Sequence, residues 1–399
     1  MTVAKRFGVP TLINAAGAKT RLGGVRPLPE VVVAMAEASD LSMDVAYLQD
    51  AASSVIARVT GAEAGCVTSG AAAALTLAAA ACIAGDDPVR IDALPHLNGK
   101  RDEIVIARRH RNSYDHAWRA AGARLVEVGI DDRDAGSGMR GVEPWEYEAA
   151  FGPETAAVAY VARAEEDPPL REVVDVAHRH GVPVIVDAAA RLPPVSNLRA
   201  FIDAGADLVA YSGGKALRGP QASGILCGRA DLLRAALLSQ LDMDQPVPHW
   251  TLPPGLFPDA SRRPLPRHGV ARGMKVGKEQ VLGLLVALEA FASEDPTERV
   301  RVHEERLSVI KRALEGTPVV EVRDLYTPER VRLAIRFSRP DEALDVYEDL
   351  LHGERPIAVD PAEMSKGVLV VDPLGLSASE AEEVARAFAR AIVPSNGHT

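Results

Sequence analysis

The sequence predicts an α/β protein with a large, doubly wound, mostly parallel sheet domain followed by a small α+β domain. Three observations carry this. Between residue 46 and about residue 270, short apolar runs such as Glu103-Ile-Val-Ile-Ala107 and Thr155-Ala-Ala-Val-Ala-Tyr-Val161 alternate with helical segments. The runs are continuously apolar and do not alternate with polar residues, which marks strands buried on both faces of a parallel sheet. The chain is 47% apolar but only 4% aromatic, with abundant Ala and Gly, a composition that suits helices packed closely on such a sheet.

Residues 1–45 read as an N-terminal arm: an apolar piece at Thr11 to Asn14, a turn at Leu22-Gly-Gly24 and a helix from about Pro29 to Ser39. Its few apolar residues give it no core of its own, so it should pack on the C-terminal domain or on another subunit. Residues 46–272 form the large domain. Helices are expected at Leu48 to Thr60, Ala71 to Ala84, Asn112 to Ala121, Leu170 to His180 and Leu198 to Ala204. Strands are expected at Ala64 to Thr68, Glu103 to Ala107, Arg124 to Val128, Thr155 to Val161, Val182 to Val186, Leu208 to Tyr211 and Ala222 to Cys227. Gln245 to Arg267 carries seven prolines and no periodicity, and reads as a long loop near the site. Residues 273–399 form the small domain. Its helices are expected at Glu279 to Ala292, Val300 to Glu315, Asp341 to His352 and Ser379 to Ile392, and its strands at Val319 to Arg323, Val331 to Phe337, Ile357 to Val359 and Gly367 to Val371.

A length of 399 residues allows two domains. The net charge of −10 disfavours nucleic acid as a general partner, since phosphate backbones need a positive footprint. Cys66, Cys82 and Cys227 are widely spaced, so no zinc or other metal site is expected, and each reads as a small buried apolar residue in a reducing compartment. The N-terminus lacks a signal-length apolar core, and the Ala71 to Ala84 run is too short to span a bilayer. A soluble, cytoplasmic protein is the expectation.

The chemistry centres on Lys215, in Tyr211-Ser-Gly-Gly-Lys-Ala-Leu-Arg-Gly-Pro-Gln221. Asp187 ends an apolar run 28 residues earlier, and Ser212 stands three residues before the lysine. An acid at one strand end, then a strand running into a small-residue turn with Ser and Lys, suggests a pyridoxal 5′-phosphate site. Lys215 would hold the aldehyde covalently, and Asp187 would keep the pyridine nitrogen protonated. Singly, such a lysine is more often a solvated amine, and such an aspartate a helix cap or a metal ligand; their order and spacing together favour the cofactor. Ser69, Gly70 and Ala71 open a helix whose free amides and dipole suit the cofactor phosphate, with Ser212 as a second donor, although Ser-Gly before a helix is commonly a plain cap. In Arg108-Arg-His-Arg-Asn-Ser-Tyr-Asp-His116, His110 is the candidate ring over the cofactor face, with Tyr114 its rival; His116, His178 and His180 read as structural. Arg21, His268 and Arg272 are candidates for gripping a substrate carboxylate, or alternatively for pairing with acids at a domain boundary.

Cys66-Val-Thr-Ser-Gly-Ala-Ala-Ala-Ala74, His110-Arg-Asn-Ser-Tyr-Asp-His116, Val186-Asp-Ala-Ala-Ala190, Ser212-Gly-Gly-Lys-Ala-Leu-Arg-Gly-Pro-Gln221 and Arg272-Gly-Met-Lys-Val-Gly-Lys-Glu279 resemble the selenocysteine-synthase-like family of pyridoxal phosphate enzymes, over most of residues 10–295. The resemblance implies the fold-type I aminotransferase fold, Lys215 as the cofactor lysine, Asp187 as the pyridine partner, and a homodimer or larger ring with shared sites. The chain looks closer to the branch of that family with D-glucosaminate-6-phosphate ammonia-lyase activity than to the transferases acting on seryl-tRNA, which usually carry an additional tRNA-gripping N-terminal domain. Ala190 stands where class V aminotransferases often carry histidine, and Arg191 where close lyase relatives should have an acidic or neutral group; both leave the substrate open. The expected activity is removal of an α-proton and then a β-substituent from a hydroxylated or sugar-derived amino acid. The alternatives are β-replacement of the selenocysteine-synthase type, an amino-acid racemase or aldolase, and a non-catalytic cofactor-binding scaffold.

Overall fold

The computed structural model describes residues 2–97, 100–130, 141–163, 168–240, 252–258 and 265–392. They fall into two compact units, Leu28–Ala292 and Met1–Pro27 with Ser293–Thr399. In chain order the strands are β1 (Ile13–Ala15), β2 (Ala64–Thr68), β3 (Glu103–Ala107), β4 (Arg124–Val128), β5 (Thr155–Val161), β6 (Val184–Asp187), β7 (Leu208–Ser212), β8 (Gly224–Gly228), β9 (Glu321–Thr327), β10 (Arg330–Arg336), β11 (Ile357–Val359) and β12 (Val368–Val371).

The larger unit is built on a seven-stranded sheet of order β2-β8-β7-β6-β5-β3-β4. All neighbouring pairs are parallel except those of β8, which runs antiparallel to both β2 and β7. Strand residues alternate between two apolar layers. Ile104 and Ile106 meet Leu75, Leu77, Trp118 and Leu233 on one face. Val105, Val158 and Val186 meet Ile56, Val173, Phe201 and Leu284 on the other. The Ala71–Ala84 helix is buried along nearly its whole length, and its alanines let it lie close against the sheet. Two-sided burial of this kind is why the strands read as unbroken apolar runs.

The smaller unit joins the N-terminal arm to the C-terminal part of the chain. β1 pairs in parallel with β11, with Ile13 opposite Ile357. β12, β10 and β9 form an antiparallel sheet. Its core gathers Ile13, Leu307, Ile310, Leu333, Phe337, Val371 and Phe388. The arm thus packs with the C-terminal part as far as Pro27, whereas the sequence reading drew its end at residue 45 and began the small domain at 273. The difference has a packing cause. The Lys278–Ser293 helix sends Val281, Leu284, Leu288 and Phe291 into the large unit's core. A Cβ on Gly283 of that helix would lie 2.7 Å from the Met35 side chain, so the Pro29–Ser39 helix is seated close against it in the same unit.

Most expected elements recur within a few residues. The helix expected from Asn112 starts at Asp115, because that carboxylate accepts from the Asn112 N–H at 3.3 Å and pairs with Arg111 at 2.6 Å. Helices at Pro88–Ala93, Pro144–Ala150 and Ala230–Leu238 escaped the sequence reading. Much of the Gln245 to Arg267 loop lies outside the described residues; its described part packs Leu252, Leu256 and Phe257 into the first core layer. Among the described residues, no helix is long and apolar enough to cross a membrane, and no cluster of three His, Cys, Asp or Glu side chains is set to hold a metal ion.

Candidate cofactor and active site

The sheet order brings the candidate residues to one edge. Gly224 at the start of β8 pairs with Thr68 of β2 on one side and Ser212 of β7 on the other. Ser69-Gly70-Ala71 and Ser212 therefore leave the sheet next to each other. A Cβ on Gly224 would lie 2.5 Å from the Gly70 carbonyl carbon and 2.7 Å from the Ala71 nitrogen, so only glycine lets β8 approach this turn. Gly224 was not among the site residues expected from the sequence; a glycine opening a strand is the signal that points to it.

Gly70 caps the Ala71–Ala84 helix at φ 146°, a conformation that favours glycine, and the Thr68 hydroxyl donates to its carbonyl at 2.9 Å. The helix has no side-chain cap and no acid in its first turn. Its first amides are left open toward the edge where Ser212 stands, which is the arrangement an anion requires.

Asp187 ends β6 between Val161 of β5 and Ala210 of β7. Its carboxylate accepts from the Ala189 N–H at 3.0 Å. Burial pushes its pKa up, while that N–H and the Lys215 charge pull it down. Lys215 stands in the tight turn after β7, where Gly213 N–H donates to the Ser223 carbonyl and Gly219 N–H to the Gly213 carbonyl, both at 2.9 Å. Gly214 is also required, since a Cβ there would lie 2.7 Å from Gln221 Cα. Burial lowers the Lys215 pKa and the Asp187 charge partly restores it. A half-buried amine, in a turn with little room to move, thus feels the half-buried carboxylate that ends β6.

His110 follows β3 through a short 3-10 turn and is 2% exposed. Its ring meets Tyr160 edge-on with centroids 4.7 Å apart, and among the described residues its Nδ1 has no hydrogen-bond partner. Its rival Tyr114 is exposed. Burial first, and then the positive charges of Arg163 and Arg109, pushes the His110 pKa down to about 4. The ring is therefore neutral at pH 7. Between pH 6.5 and 4 the unfolded chain binds a proton that the fold refuses, so stability falls as pH falls through that window. The full span is about 3 kcal/mol. The urea midpoint should drop between pH 7 and pH 5, and drop less in His110→Gln. Equal drops in both proteins would remove the buried-histidine account.

The remaining candidates are spread more widely. His268 is exposed, while half-buried Arg272 opens the Arg272–Met274 turn of the large unit. Arg21 is exposed in the Thr20–Leu22 turn of the smaller unit. His178 and His180 pair with Asp207 and Glu148, each at 2.8 Å, which are structural contacts.

The family model described as L-seryl-tRNA selenium transferase matches residues 30–243. A 5′-C-glycyluridine monooxygenase-decarboxylase from a Streptomyces species is 32% identical, covering 98% of this chain and 92% of its own. A D-glucosaminate-6-phosphate ammonia lyase from Salmonella typhimurium (strain 14028s / SGSC 2262) is 29% identical over 95% of this chain and 94% of its own. A solved D-glucosaminate-6-phosphate ammonia-lyase superposes with a TM-score of 0.80 at 27% identity, covering 98% of both chains. The fold is the aminotransferase-like α/β fold expected from the sequence. The chain belongs to the L-seryl-tRNA selenium transferase family and is an enzyme.

Proposed function

Within that family, we propose that this chain is a pyridoxal 5′-phosphate-dependent lyase acting on a hydroxylated or sugar-derived amino acid. The observation that carries the reading is the Lys215 amine, half-buried and electrostatically coupled to half-buried Asp187 at the carboxyl ends of β7 and β6. Three features fit the cofactor: the open amides of the Ala71–Ala84 helix, the space that Gly224 leaves beside them, and the Nδ1 of buried His110, which has no hydrogen-bond partner among the described residues. When bound, the cofactor supplies a cationic ring that accepts electrons from the substrate α-carbon.

The chain's own groups then have distinct tasks. The amides of Ser69, Gly70 and Ala71, with the Ser212 hydroxyl, hold the phosphate. Asp187 keeps the ring nitrogen charged, and His110 covers a ring face. Lys215 takes the α-proton at Nζ, and its lowered pKa enlarges the neutral fraction able to do so. It then returns a proton to the departing β-hydroxyl. The net change converts a 2-amino-3-hydroxy acid to a 2-oxo-3-deoxy acid and ammonia; the water lost from the β-carbon is regained when ammonia leaves. Arg21, His268 and Arg272 are the candidates for the substrate carboxylate. The similarity to D-glucosaminate-6-phosphate ammonia-lyase in sequence and in fold supports this class.

A screen of hydroxylated amino acids for α-deuterium exchange and 2-oxo-acid release tests it. Exchange coupled to release is the expected result. Exchange without release would favour racemisation, and turnover only with charged tRNA would favour the transferase reading. A second reading, oxidative decarboxylation, is favoured by the 32% identical relative over 98% of the chain; oxygen uptake with carbon dioxide release would select it. We also read the protein as a cytoplasmic homo-oligomer. Its exposed Val32, Val33, Leu41, Val45 and Tyr47 suit a subunit contact, and sedimentation of the cofactor-loaded protein tests that.

A further inference from the structure

The turn that carries His110 is held from both of its ends. Glu127 of β4 accepts from Arg108 Nε at 3.0 Å through one oxygen and from Arg111 Nη1 through the other. A single carboxylate on the neighbouring strand therefore brackets the Arg108–His110 turn. Arg111 also donates from Nε to Asp115 at 2.6 Å. The second Asp115 oxygen accepts from the Asn112 N–H at 3.3 Å, and the Asn112 amide donates back to the His110 carbonyl at 3.2 Å. Asp115 is buried, and both of its oxygens are satisfied inside this segment.

Stability alone does not account for the network. Arg108 and Glu127 are exposed, and exposed ion pairs contribute only about 0–1 kcal/mol. The effect is geometric. Arg111 sets two nitrogens of one planar fork on carboxylates from two elements, which fixes the direction in which the chain leaves His110. The ring has few restraints of its own: an edge contact with Tyr160, and no hydrogen bond at Nδ1 among the described residues. A backbone held on both sides is then what keeps the ring in its buried place. Within the network the charges cancel, Arg108 and Arg111 against Asp115 and Glu127. The charges that reach the ring are those of Arg109 in the same turn and Arg163 after β5, and Tyr160 of β5 is the titratable group that faces it. The clamp thus holds the ring without adding charge beside it.

We propose that Asp115 and Glu127, acting through Arg111, are positioning residues that hold the His110 ring where it covers the cofactor. As a statement about the cofactor this rests on the function proposed above; as a statement about the ring's place it does not. The test follows the histidine rings of the full, cofactor-free chain by carbon-13 NMR between pH 7 and pH 5. His110→Gln identifies the His110 signal by its loss. In the parent protein that signal should stay unmoved over this range, because burial and the two arginines push its pKa down to about 4. In Asp115→Asn and in Glu127→Gln it should titrate within the range, with its midpoint raised to about 5 or above. The direction separates the clamp from plain electrostatics. Removing a negative charge near a histidine lowers its pKa, whereas releasing the ring to water raises it toward its ordinary value. Thermal melts show whether each variant is folded, and Glu127→Gln, on the exposed edge strand, is the substitute if Asp115→Asn is not. A signal that stays unmoved in the folded variants, or a midpoint that falls, would overturn the clamp. The visible circular-dichroism band of the cofactor-loaded protein should weaken in Asp115→Asn and weaken no further when His110→Gln is already present. Equal weakening in both backgrounds would overturn the positioning role, since Asp115 would then act independently of His110. Borohydride labelling of Lys215 separates the two ideas. A missing label with the raised midpoint removes the cofactor reading and leaves the clamp, and an intact label with an unmoved signal removes the clamp alone.

Discussion

Lys215→Ala is expected to lower turnover by a factor on the order of 10³ or more and to abolish borohydride fixation of the cofactor. The lysine is assigned two tasks, covalent attachment and proton transfer. Positioned acid–base groups alone contribute about 10²–10⁴ in rate. The surrounding turn should survive the change. It is held by backbone bonds, Gly213 to Ser223 and Gly219 to Gly213, and by the Arg218 N–H donating to the Lys215 carbonyl at 3.0 Å. None of these uses the side chain. Circular dichroism and melting should therefore match the parent protein while the visible absorbance of the loaded form is lost. A labelled peptide from any other lysine would sink the assignment. Partial rescue by a small added amine would support it, because a merely structural lysine would not be replaced in that way.

How much of this was legible in the sequence depends on how local each signal is. The strands carrying the site read clearly because two-sided burial forces continuous apolar runs. Asp187 and Lys215 read clearly because each sits at a strand end followed by small residues. The short helices at Pro88–Ala93 and Pro144–Ala150 were hidden because two turns or fewer carry no periodicity. Their starts depend on caps, Asp87 accepting from the Val89 N–H at 2.8 Å in the first and the Glu143–Glu146 capping box in the second. Gly224 was hidden because its importance comes from strand order. Only when β8 lies between β2 and β7 does one glycine touch both the Ser69 turn and the Ser212 edge. The expected end of the N-terminal arm differed because Met35 meets Gly283, a partner almost 250 residues away in sequence.

Asp187→Asn is expected to cost at least tenfold in turnover, roughly 1.4 kcal/mol of barrier, without destabilising the cofactor-free protein. The two halves of this expectation come from the same half-buried carboxylate. Burial is the largest influence on Asp187 and raises its pKa above the ordinary value. A carboxyl whose folded pKa is raised binds more protons in the fold than in the unfolded chain between those two values. Stability therefore falls as pH rises through that window, and at neutral pH the charged group is a net liability to the fold. Asparagine keeps the shape, can still accept from the Ala189 N–H, and removes the charge. The cofactor-free variant should melt at or above the parent temperature at pH 7. Lys215, which feels the Asp187 charge, should then titrate lower, since the influence raising its pKa is gone. Catalysis should move the other way, because an amide cannot hold the ring nitrogen in its charged form. Asp187→Ala should lose nearly all activity as well, while keeping the fold. Turnover within tenfold of the parent would contradict the role assigned to Asp187. A sharp fall in the melting temperature of the cofactor-free variant would mean that the carboxylate is retained to hold the fold together, and the activity loss would then say nothing about the ring.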